Sequence, residues 1–153
     1  MKRFLIVYDT KGGTTWEVVR WIKEGAQSQD ASVDVKSVED VESLDYDLIV
    51  TGSPIYGEQP LDSILTFLRR PELKNHNVAL FVVCFAGVFG MRNFMVRRYL
   101  DELRSICEGR VVSETSFDAT TGPWSKLNKE ICIDYGREIA GAPLRHPKVV
   151  GTA

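Results

Sequence analysis

The fold is decided by residues 46–56, which read YDLIVTGSPIY. The continuous apolar run at residues 48–50 is typical of a parallel strand that is covered on both faces. Small and turn-forming residues follow it, and then Ile55 and Tyr56 lie beyond the strand, where a core no longer needs them. The stretch therefore predicts a central strand that leads into a loop whose side chains are available to a ligand.

Four further segments complete a predicted parallel sheet. Residues 4–8 and 78–85 are also almost continuously apolar, whereas residues 33–36 alternate and residues 110–117 are mixed with polar side chains. Continuous runs indicate central strands and the other two indicate edge strands, which gives the order 2-1-3-4-5. Segments with a period near 3.6 lie between the strands and predict helices. The predicted fold class is an α/β, doubly wound, five-stranded parallel sheet with helices on both faces.

The composition is that of one ordinary globular domain. The chain has 153 residues, of which 44 % are hydrophobic and 26 % charged, and its net charge is −2. We expect no nucleic-acid partner, because proteins that bind nucleic acids carry a strongly basic face. We also expect no membrane span, because the longest apolar run, which begins at Val78, is far shorter than the ~20 residues that a span needs.

The cysteines indicate a reducing compartment. Cys84, Cys107 and Cys132 are odd in number and widely spaced, with no Cys-x-x-Cys pair. This pattern argues against a disulfide framework and against a zinc site. Neither histidine has a carboxylate or a cysteine at ligand spacing, so no metal site is expected. The predicted location is cytoplasmic.

The first candidate site residues follow the first strand. Ligands of open parallel sheets bind at the carboxyl ends of the strands, where the strand order reverses. Residues 9–15 read DTKGGTT and open a helix. Two glycines let backbone amides approach an anion closely, and three threonine hydroxyls offer donors beside the helix N-terminus. The loop indicates a phosphate cradle, although its spacing is that of neither a Walker A loop nor a dinucleotide fingerprint.

Two more loops at the same edge carry apolar side chains. The second loop, residues 53–60, contains Tyr56, and the third loop, residues 85–90, contains Phe85 and Phe89 between glycines. Apolar residues on two neighbouring loops suggest walls for a flat aromatic ligand. Their occurrence beside a phosphate cradle favours this interpretation over simple packing at the rim of the core.

Along residues 1–141 the chain resembles the flavodoxins, the family of FMN-binding electron-transfer proteins. The matching segments are TKGGTT at residues 10–15, YDLIVTGSPIY at 46–56, VALF at 78–81, MRNF at 91–94 and CIDYGREIA at 132–140. The segment at 46–56 is the most diagnostic. The resemblance implies a flavodoxin-like FMN-binding domain over residues 1–141, followed by an irregular tail at 142–153.

The resemblance also assigns the cofactor-binding residues. In flavodoxins the first loop binds the FMN phosphate, which implies contacts from Thr10, Lys11, Gly12, Gly13, Thr14 and Thr15. The second and third loops sandwich the isoalloxazine ring, which implies contacts from Pro54, Ile55, Tyr56, Gly57, Phe85, Ala86, Gly87 and Phe89. The choice between Phe85 and Phe89 as the stacking ring stays open. No catalytic side chain is implied, but the peptide at Gly57 and Glu58 is expected to tune the flavin N5 position.

Two functions follow from the resemblance. The first is a carrier of single electrons between redox partner proteins. The alternative is an FMN-dependent oxidoreductase that acts on a small substrate such as a porphyrinogen or a quinone, because the second loop and residues 81–84 also resemble the group that includes FMN-dependent protoporphyrinogen oxidase. We favour the carrier, because the longer loops of that group are absent. A phosphoacceptor domain is disfavoured, since no aspartate follows the third strand.

Overall fold

The computed structural model describes residues 1–9, 13–56, 59–84, 92–118 and 125–141. In this part of the chain the strands are β1 (Arg3–Tyr8), β2 (Ser32–Ser37), β3 (Leu48–Tyr56), β4 (Gln59–Pro60), β5 (Asn77–Cys84) and β6 (Arg110–Asp118). Five of them form a parallel sheet in the order β2-β1-β3-β5-β6, and β4 pairs antiparallel with the end of β3. The predicted order 2-1-3-4-5 is confirmed, because the two-residue β4 only shifts the numbering of the later strands.

Four helices cover the sheet in the described residues. They are α1 (Gly13–Gln27), α2 (Asp62–Leu68), α3 (Arg92–Ile106) and α4 (Ser125–Gly141). Buried residues of α1 and α4 belong to one core cluster, and those of α2 and α3 belong to the other. The sheet therefore separates two cores, as the doubly wound prediction requires. The predicted tail at 142–153 lies outside the described residues.

The central strands are apolar on both faces because each face meets a different core. In β1, Phe4 and Ile6 join the core of α1 and α4, whereas Leu5 and Val7 join the core of α2 and α3. The edge strand β2 alternates instead, and its Val33 is buried. The continuous and alternating runs of the sequence thus reflect the number of covered faces.

The edge strand β6 contains a buried charge. The Glu114 side chain is 1 % exposed, and the Arg104 guanidinium from α3 binds both of its carboxylate oxygens, with Nη2 to Oε2 at 2.5 Å. This hydrogen-bonded pair raises the pKa of Arg104, which is already fully charged at neutral pH. The polar residues of this strand therefore do not all face solvent, since one of them ties the strand to α3.

Two of the three cysteines fill space and do not act as thiolates. Cys132 is fully buried on α4, and burial raises the pKa of its thiol to about 12. Cys107 follows α3, and burial raises the pKa of its thiol to about 11. Both groups are therefore protonated at neutral pH, and reactive cysteines need the opposite shift.

Helices α1 and α4 meet backbone against backbone at two glycines. A Cβ atom on Gly25 would overlap the carbonyl oxygen of Ile133, and one on Gly136 would overlap the carbonyl oxygen of Ile22. Both obstacles are backbone atoms, which cannot rotate away as a side chain can. Glycine at these positions therefore sets the distance between the two helices.

We predict that Gly25→Ala destabilises the protein, although alanine ordinarily favours a helix over glycine by about 1 kcal/mol. Overpacking against backbone costs about 1–3 kcal/mol or more, so the free energy of unfolding should fall in urea titrations. The matched control is Gly141→Ala, because no atom lies within 4 Å of the added Cβ there. Equal stability of the two variants would contradict the close approach.

Candidate functional site

Helix α1 begins at the carboxyl end of β1, where its first turn places a buried hydroxyl. The Thr15 side chain is fully buried, and its Oγ1 has no hydrogen-bond partner within the described part of the structure. A buried polar atom without a partner costs about 1–3 kcal/mol. Free backbone N–H groups and the positive end of the helix dipole favour an anion at such a helix start. The position therefore fits a ligand oxygen, and a phosphate best of all.

A crevice opens at the point where strands β1 and β3 separate. Their last paired residues are Val7 and Thr51, and the Thr51 Oγ1 donates a hydrogen bond of 2.9 Å to the Val7 carbonyl oxygen. Beyond this point β3 continues beside β5 as far as the pair of Pro54 with Val83. The buried Thr51 hydroxyl thus satisfies the β1 backbone at the place where a ligand of this fold would enter.

A second buried hydroxyl holds the segment that follows. Ser53 Oγ accepts a hydrogen bond of 2.8 Å from the backbone N–H of Leu61 and donates one of 2.6 Å to the Pro54 carbonyl oxygen. Ile55 and Tyr56 then pair antiparallel with β4. The Ser53 side chain therefore links β3 to the residue that follows β4 in this β3–β4 hairpin.

A side-chain contact joins the first two loops. Ser63, in the first turn of α2, donates its hydroxyl to the Asp9 carboxylate that follows β1. The two residues are 54 positions apart in the sequence, and no local motif marks them as partners. The sequence analysis missed this contact, which ties the end of β1 to the helix behind the hairpin.

An aromatic pair lies beside the start of α1. The rings of Tyr8 and Trp16 are 5.3 Å apart between centroids and tilted by 40°. Trp16 remains 43 % exposed although it directly follows the buried Thr15. Neither ring was predicted to belong to a site, and the available signal was a tryptophan directly after the candidate anion-binding residues.

Residues 5–106 match the sequence pattern of the flavodoxin domain. The chain belongs to the flavodoxin family. This membership supports a flavin-binding redox protein, and it agrees with a crevice at the carboxyl edge between β1 and β3.

Solved structures of a flavodoxin and of two larger proteins share the fold. Two-electron reduced flavodoxin from Megasphaera elsdenii is 23 % identical, with a TM-score of 0.64 over 91 % of this chain and 99 % of that one. The flavodiiron protein from Giardia intestinalis is 17 % identical, with a TM-score of 0.64 over 92 % of this chain and 36 % of that one. A flavone reductase is 14 % identical, with a TM-score of 0.65 over 90 % of this chain and 62 % of that one.

This chain thus spans only about a third of the flavodiiron protein and less than two thirds of the flavone reductase. None of the curated protein sequences compared with this chain is significantly similar to it. No described helix is long and apolar enough to cross a membrane. In the same part of the chain, no three residues of the types His, Cys, Asp and Glu form a group that could hold a metal ion.

The described structure covers part of the predicted flavodoxin site. Gly13 and Thr14 lie in the first turn of α1, Pro54 is buried, and Ile55 is half-buried against the core of α2 and α3. Only the backbone of Tyr56 is described, in its pairing with β4. The predicted site residues outside the described part are Thr10, Lys11, Gly12, Gly57, Glu58, Phe85, Ala86, Gly87 and Phe89.

We predict that Ser53→Ala lowers the free energy of unfolding by about 1–3 kcal/mol, because the partly buried N–H of Leu61 loses its acceptor. Urea titration measures the loss. Ser105→Ala serves as the control, since that hydroxyl also donates to a backbone carbonyl but is exposed on α3. A surface substitution of this kind should stay within about 0.5 kcal/mol of wild type. If both variants lose equal stability, Ser53 does not hold the hairpin.

Proposed function

We propose that this flavodoxin-family protein binds FMN, with the phosphate at the start of α1. The observation that carries the proposal is the buried Thr15 hydroxyl, which lacks a partner among the described residues. A phosphate oxygen there would accept its hydrogen bond, and the loop at Thr10, Lys11, Gly12, Gly13 and Thr14 would supply backbone amides and further hydroxyls. A bond from a neutral donor to a charged acceptor is about twice as strong as a neutral pair.

The flavin ring would lie between the second and third loops. The proposed contacts are Pro54, Ile55, Tyr56 and Gly57 on the β3–β4 hairpin, and Phe85, Ala86, Gly87 and Phe89 after β5. When bound, FMN supplies the electron-transfer chemistry, while the protein binds and orients it. Ser53 contributes by linking β3 to the residue after β4, which lowers the cost of ordering this segment when the ligand binds. Within this proposal, Gly57 and Glu58 tune the N5 position from the hairpin tip.

The function we infer is the transfer of single electrons between redox partner proteins. An oxidoreductase acting on a small substrate usually needs a side chain that positions or moves a proton. At the described part of the edge the Thr51 hydroxyl donates to Val7 and the Ser53 hydroxyl donates to Pro54, whereas the Thr15 hydroxyl is left for the ligand. The Asp9 carboxylate already accepts from Ser63. The described residues therefore favour a binding site over a proton-transfer site.

The second candidate is an FMN-dependent oxidoreductase with a small substrate such as a quinone or a porphyrinogen. The observation that supports this second candidate is the fold likeness to a flavone reductase, with a TM-score of 0.65. Both functions use the same cofactor site and differ in whether a substrate reacts at the ring. Steady-state kinetics separates them.

We predict that Thr15→Val weakens FMN binding by about 10- to 100-fold, which corresponds to the loss of a bond to a charged group worth about 1.5–3 kcal/mol. Riboflavin affinity should not change, because riboflavin has no phosphate. Fluorescence titration of the apoprotein measures both affinities, and Thr15→Ser is the control that keeps the hydroxyl. The valine apoprotein should be at least as stable as wild type, since it buries no unpaired hydroxyl. An equal loss of FMN and riboflavin affinity would show that the phosphate does not bind at Thr15.

If the protein is an electron carrier, it should react rapidly with one-electron mediators but should not turn over small substrates. The FMN-loaded protein should exchange electrons rapidly with one-electron mediators in stopped-flow mixing. It should show no saturable turnover of nicotinamide with a quinone, or of a porphyrinogen with oxygen, above the rate of free FMN. Saturable turnover of either pair would favour the oxidoreductase function over the carrier function. It would not contradict the proposed FMN site, which both functions share.

A further inference from the structure

Two adjoining cavities lie on the protein surface beside the edge strand β2. The first, of about 430 Å³, lies along the outer side of α1 and reaches Lys129 of α4. The second, of about 730 Å³, lies where β1 and β2 end. Val35 lines both cavities, and Tyr8 of the second stacks on Trp16 of the first. We call the two together the α1–β2 surface.

The first cavity is basic. Its wall includes Arg20, Lys23 and Lys129, and its acidic residue is Glu24. None of these four side chains makes an ion pair within the described structure. The cavity therefore presents an excess of two positive charges on a chain whose net charge is −2.

The second cavity is acidic. Its wall includes Glu39, Asp40 and Glu42, and its basic residue is Lys36. These side chains likewise have no ion-pair partner among the residues that the structure describes. Its excess of two negative charges is equal and opposite to the excess in the first cavity.

An apolar strip separates the charged halves. Trp16 is 43 % exposed, and Trp21 and Val35 are partly buried against the core of α1 and α4. Tryptophan is the residue type that most often carries the binding energy of protein interfaces, at their centre and within a polar rim. The arrangement of an aromatic centre between two charged flanks therefore has the anatomy of an interface.

We propose that the α1–β2 surface binds a second copy of this chain in a two-fold symmetric dimer. A two-fold axis along the apolar strip places the basic half of one copy over the acidic half of the other, and the contact then occurs twice. The tryptophans of the two copies meet at the axis. A partner of one charge sign would be attracted by one half of this surface and repelled by the other. The surface thus complements itself better than it complements a uniformly acidic or basic partner.

The size and charge of the surface predict a weak dimer. The two cavities together have fewer lining residues than the 20–30 on each side of a standard interface, and exposed ion pairs contribute little individually. Sedimentation velocity of the full chain should show a monomer–dimer equilibrium at micromolar to millimolar concentrations. Dissociation should increase at about 1 M salt, where the screening length falls to about 3 Å.

Charge reversal tests whether the basic half of one copy contacts the acidic half of the other. Arg20→Glu with Lys23→Glu makes both halves acidic, and Glu39→Lys with Glu42→Lys makes both halves basic. Each double variant alone should raise the dissociation constant at least about tenfold. An equimolar mixture of the two should form a heterodimer, because every contact then joins an acidic half to a basic half. Restoration in the mixture also shows that both variants are folded.

The control is Arg69→Glu with Arg98→Glu, on the helices of the opposite face. It changes the net charge from −2 to −6, as the Arg20 and Lys23 variant does, but it should leave the dimer unchanged. The proposal is overturned if the wild-type chain stays monomeric throughout, or if a dimer forms that no reversal on the α1–β2 surface weakens. Failure of the mixture to associate, with both variants folded by circular dichroism, overturns the two-fold arrangement. None of these outcomes depends on FMN binding.

Discussion

The hydroxyl of Thr51 donates to the carbonyl of Val7 where β1 and β3 separate, and the site is organised around that point. Strands that part leave backbone groups without ladder partners, and such groups are costly when buried. Thr51 satisfies the β1 carbonyl, and two residues later Ser53 satisfies the N–H of Leu61. Both bonds pair backbone groups beside the switch point, where the crevice opens. The β3–β4 hairpin depends on the second of these side chains, Ser53.

Most of the fold could be predicted from the sequence because burial on two faces leaves a local signal. Strands β1 and β5 and residues 48–50 of β3 are nearly continuous in apolar residues, and β2 alternates at the edge. The order of the strands follows from those patterns and the right-handed crossovers. The buried Glu114 of β6 left no such signal. Its partner Arg104 lies on α3, and only the packed structure brings the two together.

The place of the candidate site is a prediction from topology, whereas its internal contacts could not be predicted from the sequence. Position followed from topology, because ligands of doubly wound sheets bind where the strand order reverses. The bond between Ser63 and Asp9 joins residues 54 positions apart, so no motif spacing could reveal it. The close approach of Gly25 to the backbone of Ile133 is equally non-local. Net charge was uninformative for a related reason, since a total of −2 conceals adjoining basic and acidic surfaces.

In the proposed site, the buried Thr15 hydroxyl would couple the stability of the domain to the binding of its ligand. Without a partner, a buried hydroxyl lowers the stability of the folded protein, and a valine of similar shape would not. A ligand that binds only the folded state adds stability that grows with the logarithm of its concentration. A hydroxyl kept at this position therefore makes sense when the anion is usually bound. Under this proposal the same residue would reduce the stability of the empty domain and raise its affinity for the ligand, so stability and function would oppose each other at this atom.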